Sequence, residues 1–592
     1  MDFGPQTQVG DYFHAMKYRQ PLEDFREANN RVASALKDDD DHYHKIREIT
    51  GTQRFMYAGR IQSSMGAARE TTPYNCYVSG TIEDSFVTGE GNIMQRATEA
   101  AATMRMGGGI GYDFSTLRPR GDSIKKLQSH SSGPVSFMKI FDAVCKCVAS
   151  SGHRRGAQMG ILRVDHPDIE EFIHAKQNTT ELTGFNLSIA VTDKFMQAVK
   201  DGTMFELTWG GRVYREIDAR NLWEAIMRST WDWAEPGVIF IDTVNRLNNL
   251  YYCETIAATN PCGEQPLPPF GACLLGSVNL AKYIRHVTAM IKTKAWRFDR
   301  EQLIADLPHI VRAMDNVVDR ARYPLPQQMA EAHGKRRMGI GVTGAANAAE
   351  AMGLPYGSAG MKEWLKDVMK LIAVECYRAS ALLAKEKGAF PMYDRDKYLA
   401  GAFIQKLPQD VRDLIAEHGI RNSHLTSIAP TGTISLTADN CSSGIEPVFS
   451  YVAERPVNTP AGVEMVEVED YGVRMFGVHG RTAAQVTPQE HIDVLVTAQE
   501  WVDSACSKTC NLDGSVEWED FKQLYMRAWE GGAKGCTTFN IDGKRMALLT
   551  SKGTNKPAPA PEPVEVTAVE PPPPAMEDAC GWDPVSGRRE CA

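Results

Sequence analysis

Long apolar runs are missing from this 592-residue chain. No stretch of about 18 such residues exists to span a bilayer, and Met1-Asp2-Phe3-Gly4-Pro5 opens without the basic and apolar parts of an export signal. No membrane role is expected, and a cytoplasmic location follows as the default. A basic surplus is missing too: the net charge is −9, so no nucleic-acid polymer is expected as a partner. Cysteine is scarce, 13 in all, and an odd number scattered over so long a chain excludes a secreted disulfide framework. Cys145-x-Cys147 and Cys506-x3-Cys510 have no second pair or histidines at zinc-ligand spacing. No metal site is expected from them, and reduced thiols, some of them catalytic, fit better. What remains is a globular composition, 43% hydrophobic and 23% charged, with length for one large catalytic unit or several ordinary domains.

The chain is organised around Asn260-Pro261-Cys262-Gly263-Glu264, with Cys273 eleven residues past Cys262. Pro fixes φ and removes a donor, and Gly permits turns that other residues resist, so this segment is a tight loop that displays its thiol. A carboxylate and an amide stand within two residues of that thiol.

This segment resembles the active-site finger loop of the large catalytic chain of ribonucleotide reductases, and the N-P-C-G-E form is most similar to the adenosylcobalamin-dependent class. The resemblance implies an α/β fold: a ten-stranded α/β barrel of two antiparallel five-stranded parallel halves with a central finger loop. It implies reduction of ribonucleoside di- or triphosphates to 2′-deoxyribonucleotides, with adenosylcobalamin as cofactor and Cys262 as the thiyl radical site. Glu264 is then the general base for the 3′-OH, Asn260 orients the substrate hydroxyls, and Cys76 and Cys273 supply reducing equivalents and finish as a disulfide.

Other segments agree in chain order. Thr72 to Gly80 alternates like a strand, and Asn75-Cys76 matches the family's first reducing cysteine and a substrate contact. Asp84 and Ser85 resemble contacts to the base and ribose of a deoxynucleoside triphosphate or ATP effector. In Gly107-Gly108-Gly109-Ile110-Gly111 the bare backbone allows close approach; the resemblance places Gly108 and Gly109 against substrate and Arg118 against effector phosphates. The dibasic loop around Arg154 and Arg155 is similar to the loop that relays the effector to the substrate pocket. Between residues 296 and 420, helices alternating with short strands argue for a parallel α/β arrangement. Gly339-x-Gly341-x-x-Gly344 is not read as a dinucleotide fingerprint, because no acidic residue clearly follows. Pro430-Thr431-Gly432-Thr433-Ile434 has the free N–H groups and hydroxyls of an anion cradle and resembles the substrate phosphate loop.

Residues 1–60 read as a polar helical lead-in, too short for the family's activity cone, with Asp38 to Asp41 a solvated charge run. The catalytic domain is expected over 61–545 and a flexible Pro-rich tail over 546–592. Cys580 and Cys591 in that tail suit a tethered dithiol passing electrons from a thioredoxin or glutaredoxin type reductant. The alternative within the family is a class I catalytic chain fed by a radical-generating small subunit, whose adjacent tyrosine pair near residue 540 is missing here; Tyr251-Tyr252 precedes the loop. No D-x-H-x-x-G segment is present for histidine-ligated cobalamin, and no Arg-Val-x-Gly-Tyr segment for a glycyl radical. An inactive nucleotide-binding regulator is the alternative from another class. A homodimer through helices near 80–105 and 134–148 is a further expectation of the resemblance.

Overall fold

The computed structural model describes residues 3–591 apart from 126, 149–156, 178–179, 289–293, 460–461, 513–515, 541–542, 545–579 and 583–588. Two compact units, Met1–Leu549 and Thr550–Ala592, divide the chain. In the first, the sheet strands in chain order are β1 (Phe55–Tyr57), β2 (Cys76–Val78), β3 (Gly109–Asp113), β4 (Gln158–Arg163), β5 (Phe185–Val191) and β6 (Gly237–Phe240), then β7 (Ala272–Cys273), β8 (Leu275–Asn279), β9 (Gly339–Thr343), β10 (Thr509–Leu512) and β11 (Gly535–Asn540).

Strands β2 to β6 lie side by side and all parallel. At one edge β7 joins β2 antiparallel. At the other, β11 joins β6 antiparallel and carries β10 parallel to itself. A separate sheet holds β1, β8 and β9, with β8 and β9 parallel and β1 antiparallel to β8. Single parallel bridges, Ile340 to Thr426 and Ile428 to Cys506, lead away from β9. The fold is therefore mixed α/β with one five-stranded parallel array, and the hydrogen-bonded ladders form sheets of eight and three strands rather than one continuous ring of ten.

Side-chain alternation along the parallel strands separates two cores. Phe185, Leu187, Ile189 and Val191 of β5 pack outward with helix residues such as Met138, Phe141 and Ile226. Ala190 of the same strand faces the other way and joins Met159, Ile161, Val78, Ile239, Cys76 and Cys273. That second cluster also takes in Ala258 and Leu267 from the antiparallel ribbon that leads into and out of the Cys262 loop. Both faces of these strands are covered, as befits a parallel array.

Sequence alternation between 296 and 420 overstates the strands: the segment contributes β9 alone to the two sheets, and the rest is dominated by the long helices Arg300–Arg320 and Ala359–Lys387. The acidic run is exposed from Asp38 to Asp41, as a solvated run should be, and it also makes specific ties. Asp38 is paired with Arg312, Lys387 and Arg320; burial alone would raise its carboxyl, but hydrogen bonds from Lys387 and Arg312 hold it well below the usual range. Asp39 caps the helix Asp40–Gly51 by accepting from the His42 N–H at 2.8 Å. Among the described residues no helix is long and apolar enough to cross a membrane.

Candidate active site

A closed turn builds the loop tip. The Gly263 N–H donates to the Asn260 carbonyl at 3.1 Å, the Asn260 N–H donates to the Gln265 carbonyl at 3.1 Å, and the Asn260 side-chain oxygen accepts from the Gln265 N–H at 3.0 Å. Gly263 has φ +80° and nothing within 4 Å of where a Cβ would stand, so the turn needs glycine and faces open space. Cys262 is exposed at this tip, while Asn260 and Glu264 are buried. Asn186 of β5 donates to the Pro261 carbonyl at 2.9 Å. On the other side the Glu264 carbonyl accepts from the Ser427 hydroxyl at 2.9 Å and the Ala505 N–H at 3.0 Å. The loop is thus pinned from both flanks.

Cys76 and Cys273 are register partners across β2 and β7. Residues directly opposed in an antiparallel pair have Cα atoms roughly 4.5–5.5 Å apart, within the roughly 4.4–6.8 Å that a disulfide spans. The Asn260 amide approaches the Cys273 sulfur at 3.9 Å. Burial raises the Cys273 thiol well above its ordinary value, and the nearby Glu264, Cys76 and Cys262 add to the rise. Cys273 therefore holds its proton at neutral pH.

The glycines of the Met106–Tyr112 segment also have a steric reason within the chain. A Cβ on Gly109 would lie 3.1 Å from both the Cys76 sulfur and Pro261, and one on Gly111 would overlap the Thr259 carbonyl oxygen. Gly108 lies instead against the Tyr77 ring and Thr103. Across the loop, a Cβ on Gly339 would press on the Gln265 amide at 2.6 Å, and one on Gly341 would overlap the Ser427 carbonyl oxygen. The tripeptide Gly-Ile-Gly thus occurs twice, at 109–111 and 339–341, bordering the loop and the Ser427 segment that pins it. Sequence reading missed Gln265, Ser427, Asn186 and Gly341; the repeated tripeptide was the available signal for the last. Two polar atoms in this region, Asn75 Oδ1 and Gln265 Nε2, are shielded from solvent without a hydrogen-bond partner among the described residues, a state that a bound hydroxyl would relieve.

Farther out, Thr431 opens the short helix Gly432–Thr437 with φ +53°. Its hydroxyl accepts from the Gly444 N–H at 2.7 Å and sits 3.1 Å from that of Thr343 at the end of β9. Pro430, Gly432 and Thr433 are exposed, Ile434 buried. Arg118 is bound to Asp84 through its side chain at 2.6 Å and its N–H at 3.1 Å, and Ser85 contacts Thr88 at 2.8 Å. Arg154 and Arg155 lie outside the described residues. In the second unit a strand pair sets Cys580 opposite Cys591 in register.

The description "Ribonucleotide reductase, barrel domain" matches this chain over residues 74–474 and 474–539. The chain belongs to that family. Among relatives, the vitamin B12-dependent ribonucleoside-diphosphate reductase of Mycobacterium tuberculosis (strain CDC 1551 / Oshkosh) is 35% identical over 509 residues, 80% of this chain and 69% of its own. The protein of the same name from Thermoplasma acidophilum is 34% identical, covering 80% of this chain and 62% of its own. The ribonucleoside-diphosphate reductase subunit alpha of Chlamydia muridarum is 24% identical, covering 86% and 55%. Similarity to the B12-named reductases is thus stronger than to the alpha-subunit chain, and the class I alternative gives way.

Proposed function

We propose that this chain reduces ribonucleotides, at the diphosphate level that its relatives' names carry, to 2′-deoxyribonucleotides with adenosylcobalamin as cofactor. The observation that carries the reading is the gathering of an exposed thiol, Cys262, a buried carboxylate, Glu264, and an opposed cysteine pair, Cys76 and Cys273, around one pinned turn. Adenosylcobalamin, when bound, supplies the one-electron chemistry that takes the hydrogen atom from a thiol. The exposed Cys262 beside the open space at Gly263 fits a group that must reach that sulfur.

The chain's own groups do the rest. The Cys262 thiyl removes the 3′ hydrogen, Glu264 takes the 3′-OH proton, and Asn260 and Asn75 hold the sugar hydroxyls. The 2′-OH leaves as water with a proton from the Cys76 and Cys273 pair, which is why a thiol kept protonated by burial is useful. The balance is one ribonucleotide and two thiols to one deoxyribonucleotide, one water and one disulfide; the hydrogen that Cys262 takes from the 3′ carbon is returned to that carbon in the last step. Gly432 and Thr433, exposed at the start of their helix, suit substrate phosphates, with Pro430, Thr431 and Ile434 shaping the turn and Gly108 and Gly109 backing the sugar.

Asp84, Ser85 and Arg118 form the proposed effector site, with Arg154 and Arg155 on the relay loop. Phe86 (50% exposed), Val87 (62%) and Met94 (38%) beside it form an apolar edge suited to a homodimer. The barrel is read as closed, with the segments around 426–428 and 506 completing the second parallel half through their bridges. Domains are read as 1–60, 61–545 and 546–592.

The test is reduction of the four ribonucleotides, as di- and triphosphates, by the purified chain. Turnover only with adenosylcobalamin is expected; turnover without it would overturn the cofactor assignment. Register pairing of Cys580 with Cys591 suits a tail dithiol that renews the active-site pair by thiol–disulfide exchange. Changing both to Ser is expected to stop turnover with a thioredoxin and its reductase while sparing turnover with dithiothreitol. Equal activity with both reductants would remove the tail from the cycle.

A further inference from the structure

The proposed phosphate loop is anchored at its far end by the N-terminus of the chain. The Asp439 carboxylate, fully buried two residues past the helix Gly432–Thr437, accepts at one oxygen from the Gln6 N–H at 2.8 Å, the Thr7 N–H at 2.9 Å and the Thr7 hydroxyl at 3.0 Å. Its other oxygen faces Arg474 at 3.5 Å. Thr7 is also the cap of the helix Gln8–Tyr18, accepting from the Gly10 N–H at 3.1 Å. A second tie comes from Gln53, whose side-chain amide donates to the Thr437 carbonyl at 2.9 Å.

Left-handed backbone gathers at the ends of these ties. Thr431 at one end of the helix (φ +53°), Asp439 and Asn440 at the other (φ +61° and +58°), and Gln53 (φ +58°) are all non-glycine residues in the left-handed region. Such conformations persist where the surroundings over-determine them. The helix between is only about 9 Å long at 1.5 Å per residue, so it moves as one piece, and a shift at Asp439 is felt at Thr431 and Thr433.

We propose that Asp439 is a positioning residue for the substrate phosphates, and that by holding Gln6 and Thr7 it makes the N-terminal helix part of the wall that fixes the loop 430–434. This rests on the reading of that loop as the phosphate contact. It assigns to the first residues of the chain a role in nucleotide affinity that a polar lead-in would not have.

The experiment uses the full chain with adenosylcobalamin and dithiothreitol, and compares Asp439→Ala, Thr7→Val and Thr7→Ser with the unaltered protein. Asp439→Ala is expected to raise KM for a ribonucleoside diphosphate about tenfold, on the scale of a lost set of charge-assisted hydrogen bonds, with kcat within about twofold. Thr7→Val should shift KM in the same direction by less, and Thr7→Ser, which keeps the hydroxyl, should restore it. Calorimetric affinity for a deoxynucleoside triphosphate reports on fold integrity and is expected to stay unchanged in all three. An unaltered KM in both Asp439→Ala and Thr7→Val, or a fall in kcat alone, overturns the proposal; should Asp439→Ala fail to fold, Thr7→Val decides it. If the unaltered chain reduces nothing, the phosphate-loop reading fails first and this role falls with it.

Discussion

Cys262→Ser is expected to lower nucleotide reduction by on the order of 10⁴-fold or more, the scale on which loss of a covalent-catalysis group acts. Serine keeps the shape of the side chain, and the position is exposed at a turn held by the backbone of Asn260 and Gly263 and by the Asn186 amide on Pro261. Folding stability should therefore move by less than about 0.5 kcal/mol, and substrate and effector affinities should be preserved. The O–H bond is too strong for the hydroxyl to take over the hydrogen-atom exchange asked of the thiol. Measurement of kcat beside calorimetric nucleotide binding checks both halves, and multiple turnovers by the variant would remove Cys262 from the radical role.

Gly111→Ala should also be strongly damaging, for a steric reason alone. The added methyl would overlap the Thr259 carbonyl oxygen at the root of the loop, where the obstacle is backbone and no flexible side chain can swing aside. Overpacking of this kind costs about 1–3 kcal/mol, occasionally more, and relief requires the ribbon at 258–267 to back away from β3. Displacement of that ribbon carries Cys262 away from the Cys76 and Cys273 pair, and a misplacement near 1 Å is worth about a hundredfold in rate. The expected result is a lowered melting temperature together with a loss of turnover on at least that scale. Wild-type activity and melting in the alanine variant would show that the loop is not held against β3 as described.

Much of the site was legible because its parts are local. A Pro and a Gly on either side of a cysteine announce a displayed turn, and the strand around Cys76 is visible in its alternation. The pairing of Cys76 with Cys273 came from family resemblance, since nothing in a spacing of nearly two hundred residues specifies β-sheet register. The ties of Asp38 to Arg312 and Lys387 and of Asp439 to Gln6 and Thr7 were invisible for the same reason: aspartate is equally at home in water, and only the folded chain supplies the distant donors. The Gly-rich segment was found for its composition, but its contact with the crossing peptide at Thr259 and Pro261 was not, because bare backbone suits a ligand and a crossing peptide equally. The strands expected across 296–420 gave way to helices whose apolar stripes pack on one another.

The paired Gly-Ile-Gly tripeptides have a consequence for anyone moving this chemistry into another scaffold. The hairpin that presents the thiol is a key cut for a slot with two stripped walls, and transplanting the key alone would leave it fouled on ordinary side chains. Both walls have to travel with it, although 230 positions separate them along the chain.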